Sequence, residues 1–312
     1  MGRFLDNIKY LCMRVKETRL YPDAIQHIYQ RAVDRGVIFY HVEDRLVLLT
    51  TAAVNKRKYG IIIPAFAVMF THIHQSAISR SRHLLSKYLQ DTNSMVSRAY
   101  NAEYSRTGQL FERPPGISQK KSWKDKKSNI IYVYNNHVEK KLCARAIDER
   151  WSLLAYAFSD HPFSEPITRP SKALSMAMKL VDRRVAKGLP LKYKDLHRVF
   201  SRVSHKEAEQ YIDYVISSYA LVDYDAAAKY FEDISSMVTA IDSTTGGEFN
   251  IKEDFYNAPD TPFIELCEWF RKHSNAKSPY GLTEFEKRDM AARAKRETTA
   301  WDTHLRRFFH IK

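Results

Sequence analysis

The spacing of apolar residues changes several times along the chain, and each change marks an element. Residues 26–33, Gln-His-Ile-Tyr-Gln-Arg-Ala-Val, alternate and predict a first strand, and Asp34-Arg35-Gly36 is a turn signal. Over 43–58, Leu46, Leu49 and Ala53 recur at helical spacing, and Gly60 stands where a helix usually ends. Residues 61–78 are apolar and β-branched and predict one long strand or two short ones. A second helix over 84–104 turns Leu85, Leu89, Met95, Val96 and Ala99 towards a core, and Arg106-Thr107-Gly108 breaks it. Residues 128–143 open with Ile130-Ile131-Tyr132-Val133-Tyr134, which looks β-like yet suits a helix as well. Residues 1–18 read as a short helical or extended lead-in, and 151–158 close the first unit.

From residue 171 the pattern is helical. A helix over 171–187 ends at Gly188-Leu189-Pro190, another spans 193–203, and Ser204-His205-Lys206-Glu207 is a capping box opening the next. Gly246-Gly247 marks a loop, and 262–273 and 283–309 are further helices. The prolines of 159–170 suggest a linker. The order strand, helix, strand, helix predicts an α+β unit over 1–158, followed by a mostly helical unit over 171–312. The 283–312 segment resembles a helix-turn-helix in outline, with Arg306 and Arg307 on its second helix.

Charge narrows the partner. The net charge is +14, but residues 1–158 hold 26 Lys and Arg against 13 Asp and Glu, and residues 159–312 hold 24 against 23. A basic first half beside a near-neutral second half points to a polyanion at the first half. No strongly amphipathic basic helix favours a membrane surface, and no apolar run is long enough to span one. The opening residues lack a signal-peptide core, and Cys12, Cys143 and Cys267 are too scattered for a disulfide framework or zinc cluster. A reducing cytoplasm is the expected setting.

The chemistry centres on Met69-Phe70-Thr71-His72-Ile73-His74. On a strand, His72 and His74 point to one side and Ile73 to the other, so two imidazoles could share a divalent cation. On spacing alone the pair is weak evidence, and two ordinary surface histidines are the simpler reading. Other histidines, such as His27, His41 and His161, read as structural or surface residues. No HExxH or carboxylate set accompanies the pair, which disfavours a zinc hydrolase.

Four blocks in order resemble the REP-associated tyrosine transposases, a branch of the single-tyrosine HUH transposases. They are Tyr29-Gln30-Arg31 with Gly36-Val37-Ile38-Phe39-Tyr40 and Glu43-Asp44; the histidine block; Arg106-Thr107-Gly108-Gln109-Leu110-Phe111-Glu112-Arg113; and Tyr132-Val133-Tyr134-Asn135-Asn136-His137-Val138. Phe70-Thr71 stands where the family has Pro-Asn, and His137 where it has Pro. The resemblance covers about half the chain. It implies a ferredoxin-like HUH domain, an antiparallel sheet with helices on one face. It implies His72, His74 and Asn136 as ligands of Mg²⁺ or Mn²⁺ and Tyr132 as the nucleophile that forms a 5′-phosphotyrosine link to DNA.

If 128–143 is helical, Tyr132 and Asn136 share a face; if it is a strand, Tyr134 shares the face of Tyr132. The implied activity is single-strand cleavage and joining near a hairpin or imperfect palindrome, in a nucleoid-associated bacterial protein. Relatives that work as dimers imply a homodimer. The alternative is a domesticated DNA-binding regulator that does not cut. Expected DNA contacts are Arg106, Arg113, Lys120, Lys121, Lys124, Lys126 and Lys127, with Trp123 as a stacking surface and Arg31 and Arg35 as further phosphate contacts.

Overall fold

The computed structural model describes residues 20, 21, 23–244 and 258–311, so the expectations for 1–18 and Gly246-Gly247 lie outside the described residues. The first strand, β1 (Ile25–Arg31), is followed by helix α1 (Val42–Tyr59), strands β2 (Ile62–Val68) and β3 (His72–Ile78), helix α2 (Arg82–Glu103), strand β4 (Gly116–Lys120) and helix α3 (Trp123–Glu139). The remaining helices are α4 (Lys172–Ala186), α5 (Tyr193–Phe200), α6 (His205–Tyr219), α7 (Tyr224–Ala228), α8 (Ile234–Asp242), α9 (Thr261–His273), α10 (Glu284–Glu297) and α11 (Asp302–Phe309). The apolar stretch 61–78 resolves into two strands, because the chain reverses at residues 69–71, where the Met69 amide donates to the His72 carbonyl.

The sheet order is β2-β3-β1-β4 with every pairing antiparallel. With the chain order β1-α1-β2-β3-α2-β4, this is the ferredoxin-like arrangement. Strand parity then sorts the sheet into two faces. Ile28, Phe66, Val68, Ile73 and Ala77 face α1 and α2 and join Leu46, Leu49, Leu85, Tyr88 and Val96 in one core. α1 is buried almost all round, Leu46 through Ala53 included, because α5 and α6 cover its outer side. This explains why its apolar residues exceed a single stripe.

The opposite face carries His27, Tyr29, Arg31, Ala65, Ala67, His72, His74 and Ser76, and α3 lies across it as an addition to the ferredoxin-like core. Ala65 and Ala67 give α3 room to approach, and Ile130, Val133 and Tyr134 fill the gap. Burying an Ile or Val contributes about 1.5–3 kcal/mol, against a helix-propensity cost below about 0.7 kcal/mol. Burial therefore decides the ambiguous 128–143 segment in favour of helix. Ser122 starts that helix by accepting the Asp125 amide.

The helical second half shares its cores with the first. One cluster joins Ile28 to Leu174 and Val215, a second joins Val37, Tyr40 and Phe70 to Phe263, Trp269 and Phe308, and a third joins Ala65 to Ala227 and Met237. The stretch 159–170 is tied down as well: the Phe163 amide donates to Asp213 and the Ser217 hydroxyl donates to the Asp160 carbonyl. α10 and α11 pack against each other near the end of the described chain. The buried residues of α11, Leu305, Phe308 and Phe309, face inward, and the Tyr40 hydroxyl donates to the Phe308 carbonyl. Arg306 is exposed and Arg307 half-buried. No helix among the described residues is long and apolar enough to cross a membrane.

Candidate active site

β3 presents His72 and His74 to the α3 side of the sheet, and their rings lie 4.8 Å apart. The Thr71 hydroxyl sits 2.9 Å from His72 Nδ1. That contact engages Nδ1, and a hydrogen bond to one ring nitrogen is the way an outer partner orients an imidazole. Thr71 and Phe70 thus have roles of their own where the family pattern has Pro-Asn. The Phe70 ring packs on Phe263 at 5.6 Å and under the Arg45 guanidinium at 5.0 Å, which docks the tip of the hairpin against α9.

α3 lies over this pair in order. Asn129 meets Ser76, and Tyr132 meets His74 with ring centroids 5.6 Å apart. Asn136 lies one turn further along α3 and is buried. The Asn136 amide nitrogen donates to the Tyr132 carbonyl at 2.8 Å. Its oxygen is the atom suited to a cation. Among the described residues no three His, Cys, Asp or Glu side chains form a metal cluster. A divalent ion here would rest on two imidazoles and an amide oxygen, with water or phosphate oxygens completing its shell. That donor set fits Mg²⁺ or Mn²⁺ and lacks the closed shell of structural zinc.

Tyr134 takes no part. It is fully buried, its hydroxyl donates to the Pro64 carbonyl, and burial pushes its pKa above the usual phenol value. His137, at the family's proline position, is also structural. Its Nε2–H donates to the Val68 carbonyl, and burial pushes its pKa below that of a free imidazole.

His27, read as a structural or surface residue, is buried, and β1 sets its ring 5.4 Å from Tyr132 and 5.5 Å from His74. Tyr29 joins the same cluster, 6.4 Å from His74, with the Arg31 guanidinium 4.8 Å over its ring. Gly116 makes room for Tyr29, since a Cβ there would come within 2.0 Å of the tyrosine ring. The signal was in the alternation: His27, Tyr29 and Arg31 share a face, as do His72 and His74. His41 and His161 stay outside this cluster, His41 Nε2 lying 2.6 Å from the Lys277 carbonyl and His161 beside Ser159.

The expected DNA contacts divide. Arg31 belongs to the cluster. Lys120 ends β4, and Trp123, Lys124, Lys126 and Lys127 form the first turns of α3. Trp123 is 61% exposed and its ring leans on Tyr230 at 5.0 Å. Lys126 lies over Tyr230, Lys127 over Phe231 and Lys121 over Tyr21. Arg113 and Lys124 are exposed. Arg35 is half-buried with left-handed backbone at φ 53. Arg106 is engaged internally: it donates to Asn101 and to the Gln109 carbonyl, and it covers the Tyr280 ring.

The sequence matches no family model, and no curated protein matches it. Among solved structures, it is similar to a REP-associated tyrosine transposase bound to a REP hairpin. The two are 15% identical, the match covers 50% of this chain and 94% of that one, and the TM-score is 0.39. Values of this size leave the functional argument to the geometry of the site.

Proposed function

We propose that the protein is a metal-dependent single-strand DNA endonuclease and strand transferase that acts through Tyr132 near hairpin or palindromic DNA. The observation that carries this reading is the contact of the Tyr132 ring with His74, on the face where His72 and His74 converge and on the helix that also bears Asn136. The order of the four sequence blocks and the basic first half support it.

In the proposed step the Tyr132 oxygen attacks phosphorus. An O–P bond forms to tyrosine, the bond to the 3′-oxygen breaks, the phenol proton leaves, and the 3′-oxygen takes up a proton. Because the phosphodiester energy is kept, a 3′-hydroxyl can reverse the step without ATP. When bound by His72, His74 and Asn136, a divalent cation supplies Lewis-acid polarisation of the scissile phosphate. The chain's own groups do the rest. α3 holds the phenol against His74, Thr71 orients His72, and Lys126, Lys127 and exposed Trp123 offer phosphate and base contacts further up α3.

A second reading, a DNA-binding regulator that does not cut, is favoured by one observation: Tyr132 is only 7% exposed. One experiment separates the two. The protein is incubated with labelled single-stranded hairpin oligonucleotides and Mg²⁺ or Mn²⁺, then resolved under denaturing conditions. A covalent adduct absent in Tyr132→Phe supports the nuclease. Binding without an adduct across substrates and metals supports the regulator.

A further inference from the structure

The near-neutral charge of 159–312 is an average over two unlike stretches. Residues 169–206 hold 11 Lys and Arg against 2 Asp, whereas 207–312 hold 13 Lys and Arg against 19 Asp and Glu. The fold gathers the cations of 169–206 on α4 and α5. α4 turns Leu174, Ala177 and Val181 into the core, and the helix with its C-terminal cap presents Lys172, Lys179, Arg183 and Lys187 on the opposite side, all exposed. Their spacing of seven, four and four makes one helical stripe, roughly 22 Å long. α5, packed beside α4, adds exposed Lys194 and Arg198 one turn apart, while its Leu196 and Val199 are buried.

Neither ion pairing nor helix stability accounts for this stripe. The two acids of the segment are engaged elsewhere: Asp195 pairs with Arg184 at 2.6 Å, and Asp182 accepts the Tyr214 hydroxyl at 2.6 Å. Among the described residues, no carboxylate pairs with any of the six cations. Lys179 with Arg183, Arg183 with Lys187, and Lys194 with Arg198 are like charges four apart, which weaken a helix. Lys172 sits in the first turn of α4, at the positive end of the helix dipole. The stripe is also remote from the histidine pair. α5 and α6 pack on α1, on the sheet face opposite His72, His74 and α3, and α4 packs on α6.

We propose that α4 and α5 form a second DNA-binding face, which holds duplex DNA by its phosphates and reads no bases. Rows of Lys and Arg neutralise phosphates whatever the sequence. A single strand needs aromatic rings to stack on, and the exposed residues of α4 and α5 include no Phe, Tyr or Trp. At about 3.4 Å per base pair, the stripe follows about six base pairs. A membrane surface suits it less, because the apolar side of α4 is buried in the core and has nothing to insert. The proposal does not rest on whether Tyr132 cuts.

The test uses the full chain with Lys172→Gln, Lys179→Gln, Arg183→Gln and Lys187→Gln combined. Gln is a good helix former, and all four positions are exposed. Fluorescence anisotropy follows the binding of a blunt duplex longer than the stripe, and of an unstructured single strand, over a series of salt concentrations. The wild type should bind the duplex. The variant should lose about three to four from the slope of log K against log salt, at about 0.9 per phosphate contact, with single-strand binding unchanged. Lys194→Gln with Arg198→Gln, which leaves α4 untouched, should lose about two. Lys172→Arg, Lys179→Arg and Lys187→Arg combined should bind the duplex like the wild type. A duplex slope equal to the wild type in both Gln variants overturns the proposal. An equal loss for duplex and single strand also overturns it, since the two would then share one path. Vesicles of phosphatidylserine and phosphatidylcholine supply the other polyanion. Vesicle binding that is lost in the Gln variants while duplex binding persists overturns the proposal in favour of a membrane surface. Thermal unfolding of each variant separates a lost fold from a lost phosphate contact.

Discussion

Tyr132 and His74 meet edge to face, their ring centroids 5.6 Å apart and their planes at 86°. One residue comes from the third helix and the other from a central strand, fifty-eight positions earlier in the chain. Their contact depends on Ala65 and Ala67, whose small side chains let α3 settle on the sheet.

Cation binding is the first consequence. His72 is half-buried, so His72→Ala should leave the fold largely intact while removing one ligand. Mn²⁺ at a hundred times its Kd should stabilise the wild type by about 2.7 kcal/mol. The variant should show little of that shift in thermal unfolding. An equal Mn²⁺ shift in both proteins would place the cation elsewhere.

Gly116 tests the packing of Tyr29. A methyl group there would overlap the tyrosine ring, which must then leave its place beside His74. Gly116→Ala should cost about 1–3 kcal/mol by urea denaturation, the usual range for an overpacked site. Gly116→Ala combined with Tyr29→Ala should recover part of that loss, because the clash is then gone.

His310 gives the protein a defined acid sensitivity. Its ring stacks on Tyr280 with centroids 4.1 Å apart, its Nε2 lies 2.8 Å from the Tyr40 hydroxyl, and it occupies the space above Gly36. Burial, with Lys287 and Arg106 nearby, pushes its pKa down to about 3. A depressed histidine is neutral in the fold while the unfolded chain gains a proton below about pH 6.5. Its stability contribution is therefore complete above that pH and is lost as pH falls towards 3, at about 1.4 kcal/mol per unit. Urea midpoints measured against pH should show this slope, and His310→Gln should flatten it. An unchanged slope in the variant would assign the sensitivity to other groups.

DNA contact at the start of α3 should separate into stacking and charge. Trp123→Ala should weaken single-strand binding by about 1–3 kcal/mol with little change in salt dependence. Lys126→Ala and Lys127→Ala should each lower the salt slope by about one. Arg106→Ala should instead lower stability, since Arg106 holds the 101–109 loop and covers Tyr280.

Much of this was legible in the chain, for physical reasons that differ by element. α1 and its end at Gly60 followed from apolar spacing and one left-handed glycine. The shared face of His72 and His74 followed from strand parity. α3 was ambiguous because Ile130-Ile131-Tyr132-Val133 favours strands locally, and only burial between the sheet and α8 decides it. β4 was missed because Ile117, Ser118 and Gln119 form a short edge strand with little apolar pattern. His27 was passed over although it obeys the same alternation as the histidine pair. A sequence cannot say which strand lies beside which, and the β1–β3 pairing is what brings His27 to the site.

The central claim is that Tyr132 is the nucleophile, and two other tyrosines compete for that role. Tyr29 shares the histidine face, and Tyr134 is two residues away. The most direct measurement is peptide mass spectrometry of the covalent adduct formed with a single-stranded hairpin oligonucleotide and Mn²⁺. The account predicts a nucleotide mass on Tyr132 and none on Tyr29 or Tyr134. A nucleotide on either of the other two, or no modified tyrosine in a reaction that nevertheless cleaves the strand, would contradict it.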